Sequence, residues 1–433
     1  MRHWFKDQHM RSLLKNSSYL GASKIVAAIA SIVTLALTGR ALGVILFGVL
    51  ILIHSYAQAA SSLSKFQTWQ IVIRYGGQGL AAGRVDDFKV ATGFSLGLDL
   101  LSGVIGMAIA MALLPFIGGW FGVPKEYMTI TALYCLVIPT MQAMTPGGVL
   151  RTLDRFDLLS WGSVVDPILK VILTAIAWAT EAHFVVYVAI WFATDLIGDL
   201  YLWWLTWREL KRRGMTDALK PTLTPRALKG AWRFAIRVNL TSSLAAAWGP
   251  VARLIVGGVL GPASAAFYRV AATLADSAQR PTDMLSRAFY PEVMKMDPKT
   301  KKPWKLMIRG ATIAGIFALV AVLLVAVAGE QLIRIIFGSE FIGAYPALVV
   351  LIIAPLLAMI AFPMPPMLYA LHKDKAPLVA RLVGTVLYLI IVWPLSWRFG
   401  LAGAAAAFVA ANAAMVLILS VQLSREYLRA RPR

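Results

Sequence analysis

Residues 306–328 read LMIRGATIAGIFALVAVLLVAVA, with Arg309 near the start as the one charged side chain. A stretch of this kind meets the requirement for crossing a bilayer, roughly 20 consecutive and mostly apolar residues. Similar runs lie on both sides of it. Downstream are residues 344–371, 376–397 and 401–423, and upstream 234–260 and 263–289. The first half adds 19–38, 42–61, 91–116, 128–147, 158–179 and 184–204. The total is about twelve spans by that ruler, which predicts an all-α polytopic membrane protein.

Composition agrees with the spans. The chain is 59% hydrophobic and 15% charged, with a mean hydropathy of +0.71, whereas soluble domains run about 45–50% apolar and about 25% charged. A soluble enzyme is excluded on these grounds. The net charge is +21, from 42 Lys and Arg against 21 Asp and Glu, a balance that in a soluble protein would point to nucleic acid. Here the basic residues sit between apolar runs. They read as membrane-protein loops that collect Lys and Arg on the cytoplasmic side, and no nucleic acid is expected as a partner.

Residues 208–233 break the pattern with Lys211, Arg212, Arg213, Lys220, Arg226 and Lys229, and Pro221 and Pro225 discourage a continuous helix there. The chain therefore divides into an N-terminal lobe (1–207, six spans), a cytoplasmic basic connector (208–233) and a C-terminal lobe (234–433, six spans). Six spans, a connector and six spans suit two structural repeats around a central cavity; two bundles without symmetry would read the same way. With the N-terminus inside, the internal loops hold Lys65, Arg74, Arg84, Arg151, Arg155 and the lysines at 295–305, and the C-terminal tail is basic too. The positive-inside rule then places both termini in the cytoplasm. Residues 1–15 are polar and basic and read as a retained tail. Cys135 is alone in an apolar run, which leaves no disulfide or thiolate cluster.

Ionisable groups inside spans cost several kcal/mol and normally face a bundle interior or a wet cavity. In the eighth span Arg269, Thr273, Asp276, Arg280, Asp283 and Arg287 alternate by four and three residues, so they share one helical face. Asp276 with Arg280 and Asp283 with Arg287 are i,i+4 pairs that neutralise each other in part. Arg269 lacks such a partner one turn on. Arg offers a planar fork of donors suited to phosphate oxygens, so Arg269 and Arg280 are candidate ligands of an anionic headgroup, whereas Arg287 fits an ion-paired stripe. Arg253 in the seventh span and Lys24 in the first join them as cations facing inward, and His54, Gln58 and Asp276 are candidate polar lining residues.

Asp166 and Lys170 form an i,i+4 pair in the fifth span. Asp195 and Asp199 put two carboxylates on one face of the sixth, where they either couple to a cation or proton or bridge to Lys170, Lys24 or an Arg. Prolines 355, 363, 365 and 366 favour a broken tenth span. Gly93 and Gly97 read as an ordinary close-packing site. There is no G-x-x-x-x-G-K-S/T loop, no H-E-x-x-H motif and no soluble insert of nucleotide-binding size. No catalytic residue, metal or cofactor is expected.

Several stretches resemble the Wzx-type polysaccharide flippases of the multidrug/oligosaccharidyl-lipid/polysaccharide (MOP) exporter superfamily. The likeness is carried by KNSSYLG (15–21), TGRALGVILFG (38–48), FQTWQIVIRYG (66–76), GPASAAFYRVA (261–271) and Tyr290-Pro291-Glu292. It implies a two-lobed bundle in the bacterial inner membrane that moves an undecaprenyl-diphosphate-linked oligosaccharide outward by alternating access, for lipopolysaccharide or exopolysaccharide synthesis. Other polysaccharide assembly proteins would be further partners, beside the lipid bilayer. A cationic lumen would hold the diphosphate, which agrees with the stripe. Two other readings stay open at this point: a small-molecule cation antiporter of the same superfamily, resting on Asp195 and Asp199, and a membrane glycan polymerase or ligase.

Overall fold

The computed structural model describes residues 8–141, 144–225, 228–246, 248–294, 296–297, 300–373 and 375–430. Among the described residues there are helices and no strands. Lipid offers no partner to a backbone N–H or C=O, and a helix meets those groups within one segment.

The first helix, α1 (Gln8–Ser64), is nearly three times as long as the roughly 20 residues one crossing requires, and Gly43 interrupts it at φ 68° and ψ 174°. That conformation is essentially restricted to glycine, so the TGRALGVILFG run turns the chain. The short α2 (Thr68–Ile71) passes through a π turn at Val72–Gly76 into α3 (Gly77–Ala81), followed by α4 (Val85–Ile117). Then come α5 (Met128–Tyr134), α6 (Met144–Thr152), α7 (Phe156–Ala179) and α8 (Phe184–Arg212). The second half holds α9 (Ala231–Ala246), α10 (Pro250–Leu260), α11 (Pro262–Met294) and α12 (Lys301–Ile336). The tenth expected span is broken into α13 (Tyr345–Leu351), α14 (Ile353–Ala361) and α15 (Met364–Ala370), with Pro363 leading into the last. Finally α16 (Lys375–Ala430) contains a second glycine interruption, Gly400 at φ 60°.

Among the described residues, seven helical segments are long and apolar enough to cross a membrane: Gly21–Ala81, Val85–Ile117, Phe156–Ala179, Phe184–Arg212, Lys301–Ile336, Ser339–Ala370 and Lys375–Arg429. The first and last each hold two expected spans on either side of a glycine. The other three expected spans correspond to α5 with α6, α9 with α10, and α11. The last of these is a single helix of 33 residues that falls outside the apolar set because of its polar stripe. The fold is thus all-α and polytopic.

The chain divides into two compact units. One comprises Met1–Leu42, Ile53–Gly119 and Val123–Ala246; the other comprises Gly43–Leu52, Trp120–Gly122 and Ala247–Arg433.

In the first unit, Ile71, Phe94, Leu98, Leu228, Ala231 and Ala235 form one buried cluster. The connector is no free loop, since Met215, Ala218 and Leu228 are buried. Gly93 and Gly97 explain why. A Cβ on either would collide with the backbone carbonyl of Lys220 or Thr222, and the Thr222 N–H donates to the Gly93 carbonyl at 3.0 Å. The small-residue pair is therefore a close-packing site, and what packs on it is connector backbone. The second unit has its own cluster around Phe289, Trp304, Phe362 and Leu368. Two of the resembling stretches meet within it, because a Cβ on Gly48 would fall on the Pro262 carbonyl. Outer faces are apolar, as on α12, where Leu324 and Val327 are 63% and 84% exposed. In lipid such exposure costs nothing, and packing and polar contacts hold the helices together.

Candidate functional site

The first unit contains an open polar cavity of about 450 Å³ lined by His54, Gln58, Ser163, Asp166, Lys170, Asp195 and Asp199, with methionines and glycines between them. Its centre is Lys170 on α7. The ammonium lies 3.1 Å from Asp166, one turn back, and 2.6 Å from Asp195 on α8. Close approach of the two helices permits this. A Cβ on Gly198 would sit 2.5 Å from that of Asp166. The Tyr134 hydroxyl donates to Asp195 at 2.9 Å, and His54 Nδ1 is 3.1 Å from the same hydroxyl. Trp191 closes the set, edge-on to His54 and beneath the Lys170 ammonium.

The bridge from Asp195 to Lys170 is therefore present. Among the residues lining the cavity, three carboxylates accompany one lysine, and the buried Lys65 attracts Asp199 electrostatically. Ionised groups at membrane depth are costly unless they are balanced in this way. Among the described residues no group of three or more His, Cys, Asp or Glu could hold a metal ion, and Lys170 already occupies the space between two of the acids. Lys24 is exposed on α1 and is not among the residues lining this cavity.

The second unit presents a different arrangement. Arg253 on α10 is 6% exposed and interacts electrostatically with Arg269, Asp276, Tyr268 and Tyr388. Arg269 on α11 is half-buried. Its Nε is buried and, among the described residues, has no hydrogen-bond partner. The Thr273 and Ser277 hydroxyls of the polar face donate to carbonyls of their own helix at 2.8 and 2.9 Å, so they offer little to a ligand. Asp276 is exposed. The side chains of Arg280, Asp283 and Arg287 lie outside the described residues, and with them both expected ion pairs of the stripe. Beside the arginines Trp248 stacks on Tyr388 at 5.2 Å and 14°, and its Nε1 donates to Thr385 at 2.8 Å.

Two buried charges escape the sequence reading. Asp99 in α4 accepts from Thr68 Oγ1 at 2.8 Å, Thr145 Oγ1 at 2.6 Å and Thr145 N at 3.0 Å. Thr68 is the first residue of α2 and Thr145 the second of α6, so the carboxylate lies at the N-terminal ends of two helices. Lys65, expected in an internal loop, is 3% exposed and donates to the carbonyls of Pro139 and Met141 at 2.8 and 2.5 Å. Both groups satisfy backbone at broken helices, which is a structural task. A lone acid in an apolar run carries no periodicity to reveal it. The break at Lys65, Phe66 and Gln67 was the available clue.

The family model for polysaccharide biosynthesis proteins matches residues 13–296. The chain belongs to that family. As a polysaccharide biosynthesis protein it is 37% identical over 347 residues to the inner membrane protein YghQ of Escherichia coli (strain K12), covering 80% of this chain and 98% of the relative. Two solved structures share its fold at low identity. One is an inward-facing multidrug resistance MATE transporter of the MOP superfamily, with TM-score 0.74, 14% identity and coverage of 94% of this chain and 95% of the other. The second is the lipid II flippase MurJ in an inward closed conformation, with TM-score 0.68, 12% identity and coverage of 96% and 90%. The chain thus shares the fold of these two transporters, and the region matched by the family model includes both the Lys170 cavity and the two arginines.

Proposed function

We propose that the protein flips an undecaprenyl-diphosphate-linked oligosaccharide across the bacterial inner membrane, with both termini cytoplasmic, for lipopolysaccharide or exopolysaccharide synthesis. The observation that carries the reading is the pair Arg253, buried, and Arg269, half-buried, beside aromatic rings, with the buried Arg269 Nε left unmet among the described residues. A buried donor without an acceptor costs about 1–3 kcal/mol; a diphosphate supplies both acceptors and countercharge. Membership in the polysaccharide biosynthesis family supports a glycan cargo, and the fold shared with a protein named as a lipid II flippase supports movement of a lipid-linked one. Arg280 and Lys24 are proposed as further cations on the path, and His54, Gln58 and Asp276 as polar lining. The acids beside Lys170, with Asp195 and Asp199 foremost, are proposed to take and release a proton as the protein alternates.

The experiment is leaflet-resolved analysis of undecaprenyl-linked intermediates in a strain lacking the protein. Intermediates trapped in the inner leaflet support flipping. A strain with intact surface glycan and altered drug sensitivity points to the small-molecule antiporter, a reading favoured by the acidic cavity. Unpolymerised units on the outer leaflet would indicate a polymerase or ligase.

A further inference from the structure

The outer face of α8 contains a ladder that the transport reading does not use. Ile197, Leu200, Trp204 and Trp207 are 43%, 49%, 44% and 42% exposed, and Lys211 continues their alternation of three and four residues, so all lie along one face. The order of chemistry along that face follows the depth of a bilayer. A hydrocarbon core of about 30 Å takes about 20 helical residues, so a crossing that begins at Phe184 ends near Trp204. Ile197 and Leu200 then lie at acyl-chain depth. The two tryptophans lie at the interface where indoles concentrate, and Arg208 and Lys211 follow about one turn farther out, at the level of phosphates.

The cations on this face are held in place and left without countercharge. Arg208 stands 5.6 Å over the Trp204 ring and Lys211 5.1 Å over the Trp207 ring. Tyr201 stacks on Trp204 at 5.6 Å. The only carboxylate nearby in sequence, Glu209, points the other way: it is buried and pairs with Arg155 at 2.5 Å, Arg212 at 2.9 Å and Arg213 at 2.8 Å. Among the described residues neither Arg208 nor Lys211 has an ion-pair partner. Both are exposed near the C-terminal end of α8, where the helix dipole favours positive charge and does not neutralise it.

We infer that this face of α8 is a binding site for one anionic phospholipid, whose phosphate meets Arg208 and Lys211 while its glycerol and acyl chain lie along Trp204, Leu200 and Ile197. Charge complementarity and the match in depth select this occupant. A zwitterionic lipid brings its own ammonium to the same place and gains less. The lipid at this site is a resident of the leaflet on the side of the basic connector.

The test uses the full-length protein in detergent with equal amounts of phosphatidylglycerol and phosphatidylcholine, read by native mass spectrometry. The wild type is expected to retain phosphatidylglycerol at least about tenfold over phosphatidylcholine, from two cations at a phosphate. The double variant Arg208→Gln/Lys211→Gln brings the ratio close to one. Arg398→Gln, which removes an exposed cation of the same kind from beside Phe399, leaves it unchanged. Elution volume and melting temperature equal to wild type show that the variants fold, and each single glutamine variant gives an intermediate ratio. Unchanged preference in the double variant overturns the proposal. So does displacement of phosphatidylglycerol from the wild type, but not from the double variant, by an equal concentration of undecaprenyl diphosphate, because the face would then belong to the cargo.

Discussion

Lys170 and Arg269 are both cations within helices that cross the membrane region, and their surroundings treat them in opposite ways. Lys170 is bracketed by Asp166 and Asp195 at 3.1 and 2.6 Å, and Asp195 is further bound by Tyr134. Arg269 has Arg253 close by, Asp276 as an acidic neighbour and, among the described residues, a buried Nε without an acceptor. A site already filled with its own counterions resists an outside ligand and is suited to moving small charges among fixed groups. A site with cations in excess gains by admitting an anion. On the proposed function, the difference assigns the diphosphate to the arginines of the second unit and the response to protons to the acids of the first.

The comparison can be broken most severely by charge reversal. Arg269→Glu is expected to abolish surface glycan, a fall of at least about a hundredfold as expected when an attractive charge pair becomes repulsive at low effective dielectric, with protein level checked by immunoblot. Normal glycan would remove this arginine from the cargo path. In the other unit, Lys170→Met leaves two facing carboxylates without their cation and is expected to cost about 3–5 kcal/mol, seen as a lowered melting temperature in detergent. The triple change Lys170→Met/Asp166→Asn/Asp195→Asn should recover much of that stability while glycan export stays impaired. Recovery of stability and export together would make the cluster purely structural.

Smaller effects sharpen the boundary between the two regions. Gly43→Ala forces a side chain into backbone space that only glycine occupies readily and is expected to cost about 1–3 kcal/mol, again read by melting temperature. Thr385→Val removes the acceptor of the Trp248 indole beside Arg253. A loss of about 1 kcal/mol of stability is expected, with weakened diphosphate binding if the Trp248 ring helps to shape the site.

Much of the fold was legible because membrane spans announce themselves by length. The polar stripe of α11 was readable from spacing, and the doubled spans of α1 and α16 from hydropathy on both sides of Gly43 and Gly400. The candidate site was legible one helix at a time. Asp166 with Lys170 followed from i,i+4 spacing, but the bridge to Asp195 depends on how closely α7 and α8 approach at Gly198, which a single sequence does not encode as a pattern. Tyr134, Trp191, Trp248 and Tyr388 were missed for the same reason: aromatic residues in apolar runs look like lipid-facing ones until their neighbours are known. Asp99 and Lys65 were overlooked or placed in a loop because their hydrogen-bond partners are backbone groups and threonines, and their attraction to each other joins residues too far apart in sequence to form a helical spacing.

The most direct test of the account is the affinity of the purified protein for undecaprenyl diphosphate, compared between wild type, Arg269→Gln and Lys170→Gln by titration at fixed salt. The account predicts that Arg269→Gln weakens binding by about tenfold or more, the value of one charge-assisted contact, and that Lys170→Gln leaves the affinity close to wild type. Equal affinities for wild type and Arg269→Gln, with the loss appearing in Lys170→Gln, would contradict it.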